Sequence, residues 1–250
     1  MAALRRVHIS VNISVVGTGH LAEATAECCG EWFTLCRLKN ADLVYFCVDT
    51  PVDENDNSDV DFVLNALYET LRQVREISPV LISSQVPVGF CAQVESEFPA
   101  YHFASQPENI RKLNAVNDFR RQERMIVGTR HDGDHDIIVE VLSKFTDTIL
   151  WMSPESAECT KHVLNAFLAT EIVFANEMAG FVQAVGANVD DVFRGFRSDA
   201  RVGDGPLNPG SPYQGGTLAR DIKILNQYNP GHLIQAVKAS NDIRLTGAVK

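Results

Sequence analysis

Lys161 and Asn165 stand four residues apart in the most helix-like stretch of the sequence, residues 157–185. Apolar residues recur there at Val163, Phe167, Val173, Met178, Phe181, Val182 and Val185, with alanines between them and no interrupting proline. That pattern predicts a helix of about seven turns. At i and i+4 the two polar side chains project from the same face. A buried lysine beside carboxylates can act as an acid or stabilise an oxyanion near a reacting carbon. The plainer alternative is a solvated surface pair. Ala166, Ala169, Ala175, Ala179 and Gly180 permit close packing, so a central helix is expected, whose polar residues need partners or a task.

Two other stretches have the composition of ligand loops. Residues 199–221 gather glycines and prolines around Leu207, Asn208, Pro209, Gly210, Tyr213, Gly215 and Gly216, and end at Asp221. Such a loop suits backbone wrapped closely round a ligand, with a simple surface loop as the alternative. Near the N-terminus, Gly17-Thr18-Gly19-His20-Leu21-Ala22 follows a strand at 12–16 and precedes a helix at 24–29. This is the dinucleotide-binding arrangement, in which glycines allow a tight turn and close approach of a pyrophosphate to the helix N-terminus.

The next step departs from that fold. An acidic residue gripping the adenosine ribose should end a second strand about 20 residues on, and Leu35-Cys36-Arg37 occupies that window. A strand at 32–36 would leave only residues 37–42 before the apolar strand at 43–48, too few for a parallel crossover. The reading is therefore one strand at 12–16, one crossover at 21–40 and one strand at 43–48, with the adenosine-side strands missing.

Further strands are expected at 80–83, 102–105, 124–127 and 148–151, and helices at 59–76, 90–98, 137–145, 190–196 and 232–245, the helix at 190–196 capped by Asp190. The fold class is α/β. A reduced, Rossmann-like, mostly parallel sheet is expected over residues 1–152, followed by an all-helical dimerisation and substrate-loop domain over 153–250. The acidic run around Asp53, Asn55 and Asn57 lacks the glycine and glutamate of a calcium loop, and Arg130–Asp136 reads as a turn capping a helix. No metal site is expected.

With 250 residues, 45% apolar and 22% charged, the chain has the composition of a soluble globular protein. A net charge of -10 argues against a nucleic-acid or anionic-membrane surface as the main function. No apolar run reaches membrane-spanning length and the N-terminus lacks a signal-peptide core, so a cytoplasmic protein with no membrane partner is expected. The six scattered cysteines contain no CxxC pair and read as reduced, buried thiols.

Several motifs now combine: Val15-Val16-Gly17-Thr18-Gly19, Val48-Asp49-Thr50-Pro51, Val86-Pro87-Val88-Gly89 and Pro107-Glu108. With them stand Ala157-Glu158, Lys161 and Asn165-Ala166-Phe167-Leu168-Ala169, then Asn208-Pro209-Gly210, Tyr213 and Gly215-Gly216. Together they make the chain resemble the UDP-glucose/GDP-mannose dehydrogenases, which oxidise a nucleotide-sugar C6 alcohol to a carboxylate with NAD. The resemblance implies a catalytic Lys161, an orienting Asn165, and a glutamate and an aspartate of the catalytic site at Glu108 and Asp221. It implies NAD or NADP at Gly17, Gly19, His20, Leu21, Thr50 and Pro51. The sugar nucleotide, or a smaller sugar-like substrate, would meet Leu207, Pro209, Gly210, Tyr213, Gly215 and Gly216. A homodimer through the 157–185 helix is expected.

Departures from the family matter as much. Its nucleophilic cysteine falls on Leu218, and the segment is one residue short before Asp221. Without a thiolate no thiohemiacetal forms, and aldehyde-to-acid oxidation loses its covalent route. The missing adenosine-side strands weaken the cofactor site, and a shortened member without the family's C-terminal nucleotide-binding domain is expected. Gln85 replaces a threonine, and Glu171 a base. Two readings follow: an oxidoreductase altered to a two-electron alcohol/carbonyl step at a sugar, unable to make the sugar acid alone; or an inactive homologue acting as a dimer-forming scaffold or regulatory subunit.

Overall fold

The computed structural model describes residues 11–54, 57–108, 110–202, 207–214, 217–228 and 231–247. Short runs of apolar, β-branched residues form the strands β1 (Asn12–Val16), β2 (Thr34–Leu35), β3 (Leu43–Phe46), β4 (Val80–Ile82), β5 (Phe103–Ser105), β6 (Met125–Thr129) and β7 (Ile149–Met152). They make one sheet in the order β2-β1-β3-β4-β5-β6-β7, parallel except between β5 and β6. The middle strands read as continuous apolar runs because both sheet faces are covered. Alternation then divides them: Leu43, Tyr45, Leu81 and Ala104 enter one core, and Val44, Phe46, Val80, Ile82 and Phe103 the other.

Helices α1 (His20–Gly30), α4 (Ala115–Arg120) and α5 (His135–Leu142) cover the first core. Helices α2 (Val60–Leu71) and α3 (Phe90–Glu97) cover the second. Asp59 caps α2 by accepting from Phe62 N–H. Asp53 accepts from the backbone and side-chain nitrogens of Asn57, and His102 Nδ1 lies 3.1 Å from Asp134 Oδ1 while its ring stacks on His131. Among the described residues no helix is long and apolar enough to cross a membrane.

The sheet corrects the expectation of missing adenosine-side strands. Thr34–Leu35 is a strand, pairing in parallel with Asn12 and Ile13 of β1. The crossover argument assumed that a strand there must neighbour β3, whereas β2 lies beyond β1. It reaches only the start of β1, so the chain need not retrace the whole sheet before β3. Residues 36–42 wrap beneath Asn12, whose backbone and side-chain nitrogens both donate to Asp42 Oδ2. Both strand residues are exposed, which removes the apolar signature.

The chain divides into two compact units, Met1–Pro51 with Asp59–Lys161 and Val52–Ser58 with His162–Lys250. The helix α6 (Pro154–Ala184) has 31 residues. Gly186, at φ 75°, ends the helical run, with Ala187 N–H donating to Val182 O. The expectation of a wholly central helix is corrected. Small residues face inward, Ala157, Ala169 and Ala175 being fully buried, while Val163, Phe167, Phe174, Phe181 and Val185 are 43–62% exposed. Helices α7 (Val189–Arg197), α8 (Leu218–Tyr228) and α9 (His232–Leu245) complete the second unit. The cap of α7 is Asn188, whose Oδ1 accepts from Asp191 N–H, so Asp190 is a first-turn residue instead. Helix α8 shortens the expected 199–221 loop and puts Asp221 in a helical first turn. Of the six free cysteines four are buried, and Cys36 and Cys159 are half-buried.

Gly128 of β6 lets α6 begin against the sheet. An added Cβ would lie 2.6 Å from Pro154 Cα and 2.7 Å from both Ala157 Cβ and Ser153 O. Gly128→Ala is expected to cost about 1–3 kcal/mol by overpacking. Gly195→Ala in α7, where a Cβ meets nothing within 4 Å, should be neutral or stabilising by up to about 1 kcal/mol. Thermal and urea melts of the two variants check the opposite signs.

Candidate functional site

In the first unit, Lys161 reaches the carboxyl ends of β4 and β5. Its Nζ donates to Glu108 O at 2.6 Å and lies 4.0 Å from Glu108 Oε1. The Glu108 carboxylate also accepts from Ile110 N–H. Ser83, Ser84, Ser105, Glu108, Glu158 and Lys161 line a cavity of about 20 Å³, room for one water. One turn before Lys161, the buried Glu158 accepts from Gly89 N–H at 2.6 Å and Cys91 N–H at 2.9 Å. Burial raises the Glu158 pKa, against the lowering effect of those two backbone donors. Glu158 therefore fixes the start of α6 on the N-terminus of α3.

In the second unit, Asn165 and Asp221 are brought together. Asn165 Nδ2 donates to Asp221 Oδ2 at 2.5 Å. His162 Nδ1 lies 3.3 Å and Arg220 Nε 3.6 Å from Asp221 Oδ1. Asp221 is 0%, His162 1% and Arg220 5% exposed, so this carboxylate depends on its neighbours for all compensation. Helix α6 carries Lys161 and Asn165 one turn apart, as their spacing predicts. Leu218 opens α8 and packs beside Ala166, Ala169 and Tyr213. It offers no nucleophile. Burial pushes Cys28 up to about 11 and Cys47 to about 12, far from the thiolate state that nucleophilic catalysis needs.

The glycine turn fits a dinucleotide pyrophosphate in its backbone. Gly17 has φ 134°, and a Cβ there would sit 2.3 Å from Cys47 O, so only glycine suits this close approach to the end of β3. Gly19 is the N-cap of α1 and makes no side-chain cap, leaving the N–H groups of His20 and Leu21 at an open helix end. The Leu21 side chain is in the core. Thr50 Oγ1 donates to Gln85 O at 2.6 Å, joining the loops after β3 and β4, and Pro51 is exposed. Cys36 and Arg37, neither acidic, follow β2.

Two asparagines missing from the sequence reading shape the loop at residues 207–214. Asn176 Oδ1 accepts from Gly210 N–H at 2.7 Å. Asn241 accepts from Tyr213 N–H and donates to Tyr213 O, both at 3.0 Å. Leu207 and Tyr213 are buried, with Pro209 nearer the surface. Burial, then the Asp242 charge, lifts the Tyr213 phenol to about 12. Gly215 and Gly216 lie outside the described residues. The missed residues, His162, Arg220, Asn176 and Asn241, are polar groups buried on helices. That is the one signal by which they were recoverable.

Residues 33–146 match the model of the UDP-glucose/GDP-mannose dehydrogenase family NAD binding domain, and residues 155–243 match that family's central domain. The chain belongs to the UDP-glucose/GDP-mannose dehydrogenase family. It is 32% identical over 222 residues to UDP-glucose 6-dehydrogenase of Pseudomonas aeruginosa, covering 82% of this chain and 49% of that one. With the Rhizobium meliloti UDP-glucose 6-dehydrogenase it shares 33% identity over 223 residues, 82% of this chain and 51% of the other. The chain thus spans about half the length of the curated relatives it matches. Its fold is that of the UDP-glucose dehydrogenase of Pyrobaculum islandicum, at a TM-score of 0.84 and 20% identity over 96% of this chain and 70% of that one. A UDP-D-ManNAc dehydrogenase of Pyrococcus horikoshii superimposes at 0.81, with 18% identity, over 93% and 68%.

Glu171, also on α6, is 7% exposed, and its Oε2 has no hydrogen-bond partner among the described residues. Burial raises its pKa. An acid whose folded pKa is raised contributes stability that is full below its unfolded pKa and is lost as pH rises through the folded one. Glu171→Gln removes that loss. The variant should match wild type near pH 4 and exceed it at pH 8 by on the order of 1 kcal/mol. Paired melts at the two pH values check this, and a less stable variant at pH 8 would contradict it.

Proposed function

We propose that this chain is a nucleotide-sugar dehydrogenase-like oxidoreductase. It carries out one two-electron alcohol/carbonyl step at a sugar and does not make the sugar acid alone. The observation that carries this reading is the buried Asn165–Asp221 hydrogen bond on the helix that also holds Lys161. Chemistry-bearing side chains kept buried and paired are costly to hold for packing alone. NAD or NADP, when bound at the glycine turn, supplies the hydride acceptor. The Lys161 ammonium stabilises negative charge on the substrate oxygen as the C–H bond is lost. Glu108 holds Lys161 in place through its carbonyl. Asn165, held by Asp221, orients the hydroxyl, whose proton passes to water. The loop at Leu207, Pro209, Gly210, Tyr213, Gly215 and Gly216 holds the sugar nucleotide or a smaller sugar-like substrate. Without an acid after β2, the adenosine side of the cofactor site is weakened.

Helix α6 also supports a homodimer. Its exposed Val163, Phe167, Phe174 and Phe181 recur at spacings of four and seven residues, one continuous helical stripe. The same stripe, with Leu218 in the nucleophile position, favours the second reading: an inactive, dimer-forming scaffold.

Incubating the purified chain with NAD and UDP-glucose, with a hydroxylamine reagent present, separates the readings. The expected result is reduced nicotinamide and a trapped aldehyde, with Lys161→Ala slowing the reaction by about 10²–10⁴-fold while its melt is unchanged. No reduced nicotinamide would leave the scaffold, and a fully active Lys161→Ala would take Lys161 out of the mechanism. Light scattering tests the dimer: wild type should have twice the chain mass and Phe181→Glu the single-chain mass. A monomeric wild type at high concentration would contradict it.

A further inference from the structure

Asp49 fills the space that the second glycine of the dinucleotide turn leaves open. A Cβ added to Gly19 would lie 1.9 Å from Asp49 Oδ2 and 2.6 Å from Oδ1, so the carboxylate rests against the Gly19 backbone. In a dinucleotide fold that space lets the pyrophosphate approach. Gly19 follows β1 and Asp49 follows β3, which are adjacent strands. The helices after them, α1 and α2, lie on opposite faces of the sheet. The crevice at such a switch point, beyond the carboxyl ends of the strands, is where an open α/β sheet takes its ligand. Asp49 therefore stands in the crevice itself.

Asp49 is exposed, and among the described residues no lysine or arginine forms an ion pair with it. Glu23 adds a second carboxylate in the first turn of α1. The partial positive charge of the helix N-terminus, which would draw a diphosphate, already faces two acids.

We propose that Asp49 is an affinity-determining residue of the dinucleotide turn, opposing a ligand diphosphate by like charge and by occupying the space over Gly19. A dinucleotide enters only as the Asp49 side chain swings aside. This rests on the reading of the turn as an NAD or NADP site.

Calorimetric titration of NAD into wild type, Asp49→Asn and Asp49→Ala tests it. Asp49→Asn keeps the shape and removes the charge, and should bind about tenfold more tightly. Asp49→Ala also removes the bulk and should bind at least as tightly. Raising the salt to about 0.5 M should narrow the gap between wild type and Asp49→Asn, because the repulsion is exposed and screened. If all three proteins bind NAD equally, or the variants bind more weakly, Asp49 does not oppose the diphosphate and the dinucleotide reading stands without it. If none binds NAD at millimolar concentration, both fall. Circular dichroism confirms that the variants remain folded.

Discussion

Asp221 is a carboxylate wholly withdrawn from water, and the second unit is arranged to make that tolerable. Asn165 donates to one oxygen, while His162 and Arg220 face the other. Removing a partner from such a group leaves a buried charge exposed to a low-dielectric interior, a loss of several kcal/mol. The requirement fixes α8 against α6 and sets the direction in which the first turn of α8 presents its residues. Leu218 lies one turn before Asp221. The constraint that holds the acid thus also fixes where Leu218 packs.

The core of this fold is written plainly in its sequence. Apolar runs marked β3 and β4, and helical periodicity marked α6 and α9, because each buries enough surface to impose its pattern. Thr34–Leu35 escaped notice since both residues are exposed and pair only with the start of β1. The direction of α6 was half legible. Its alanines announced close packing, but the sequence could not say that Phe167, Phe174 and Phe181 would face outward.

The candidate site was legible in part for a similar reason. Lys161 and Asn165 share a helix face, and that is local geometry. Their partners are not local: Glu108 is 53 residues from Lys161 and Asp221 is 56 from Asn165. Those came from motif resemblance, which also left His162, Arg220, Asn176 and Asn241 unnoticed. Asp49 was hidden differently. The glycine turn read as a ligand cradle, and only the pairing of β1 with β3 brings the Asp49 carboxylate against it. The buried Asn165–Asp221 pair, Leu218 at the start of α8 and the Asp49 carboxylate against Gly19 are all set by contacts distant in sequence.

Supplying a thiol tests the proposed single oxidation most directly. Leu218→Cys places a thiol at the start of α8, and products from a nucleotide sugar and NAD are then followed by mass spectrometry alongside reduced nicotinamide. Wild type is expected to stop at the aldehyde, with one reduced nicotinamide per sugar oxidised, and Leu218→Cys to yield the sugar acid with two. A sugar acid formed by the wild-type chain itself would contradict the account.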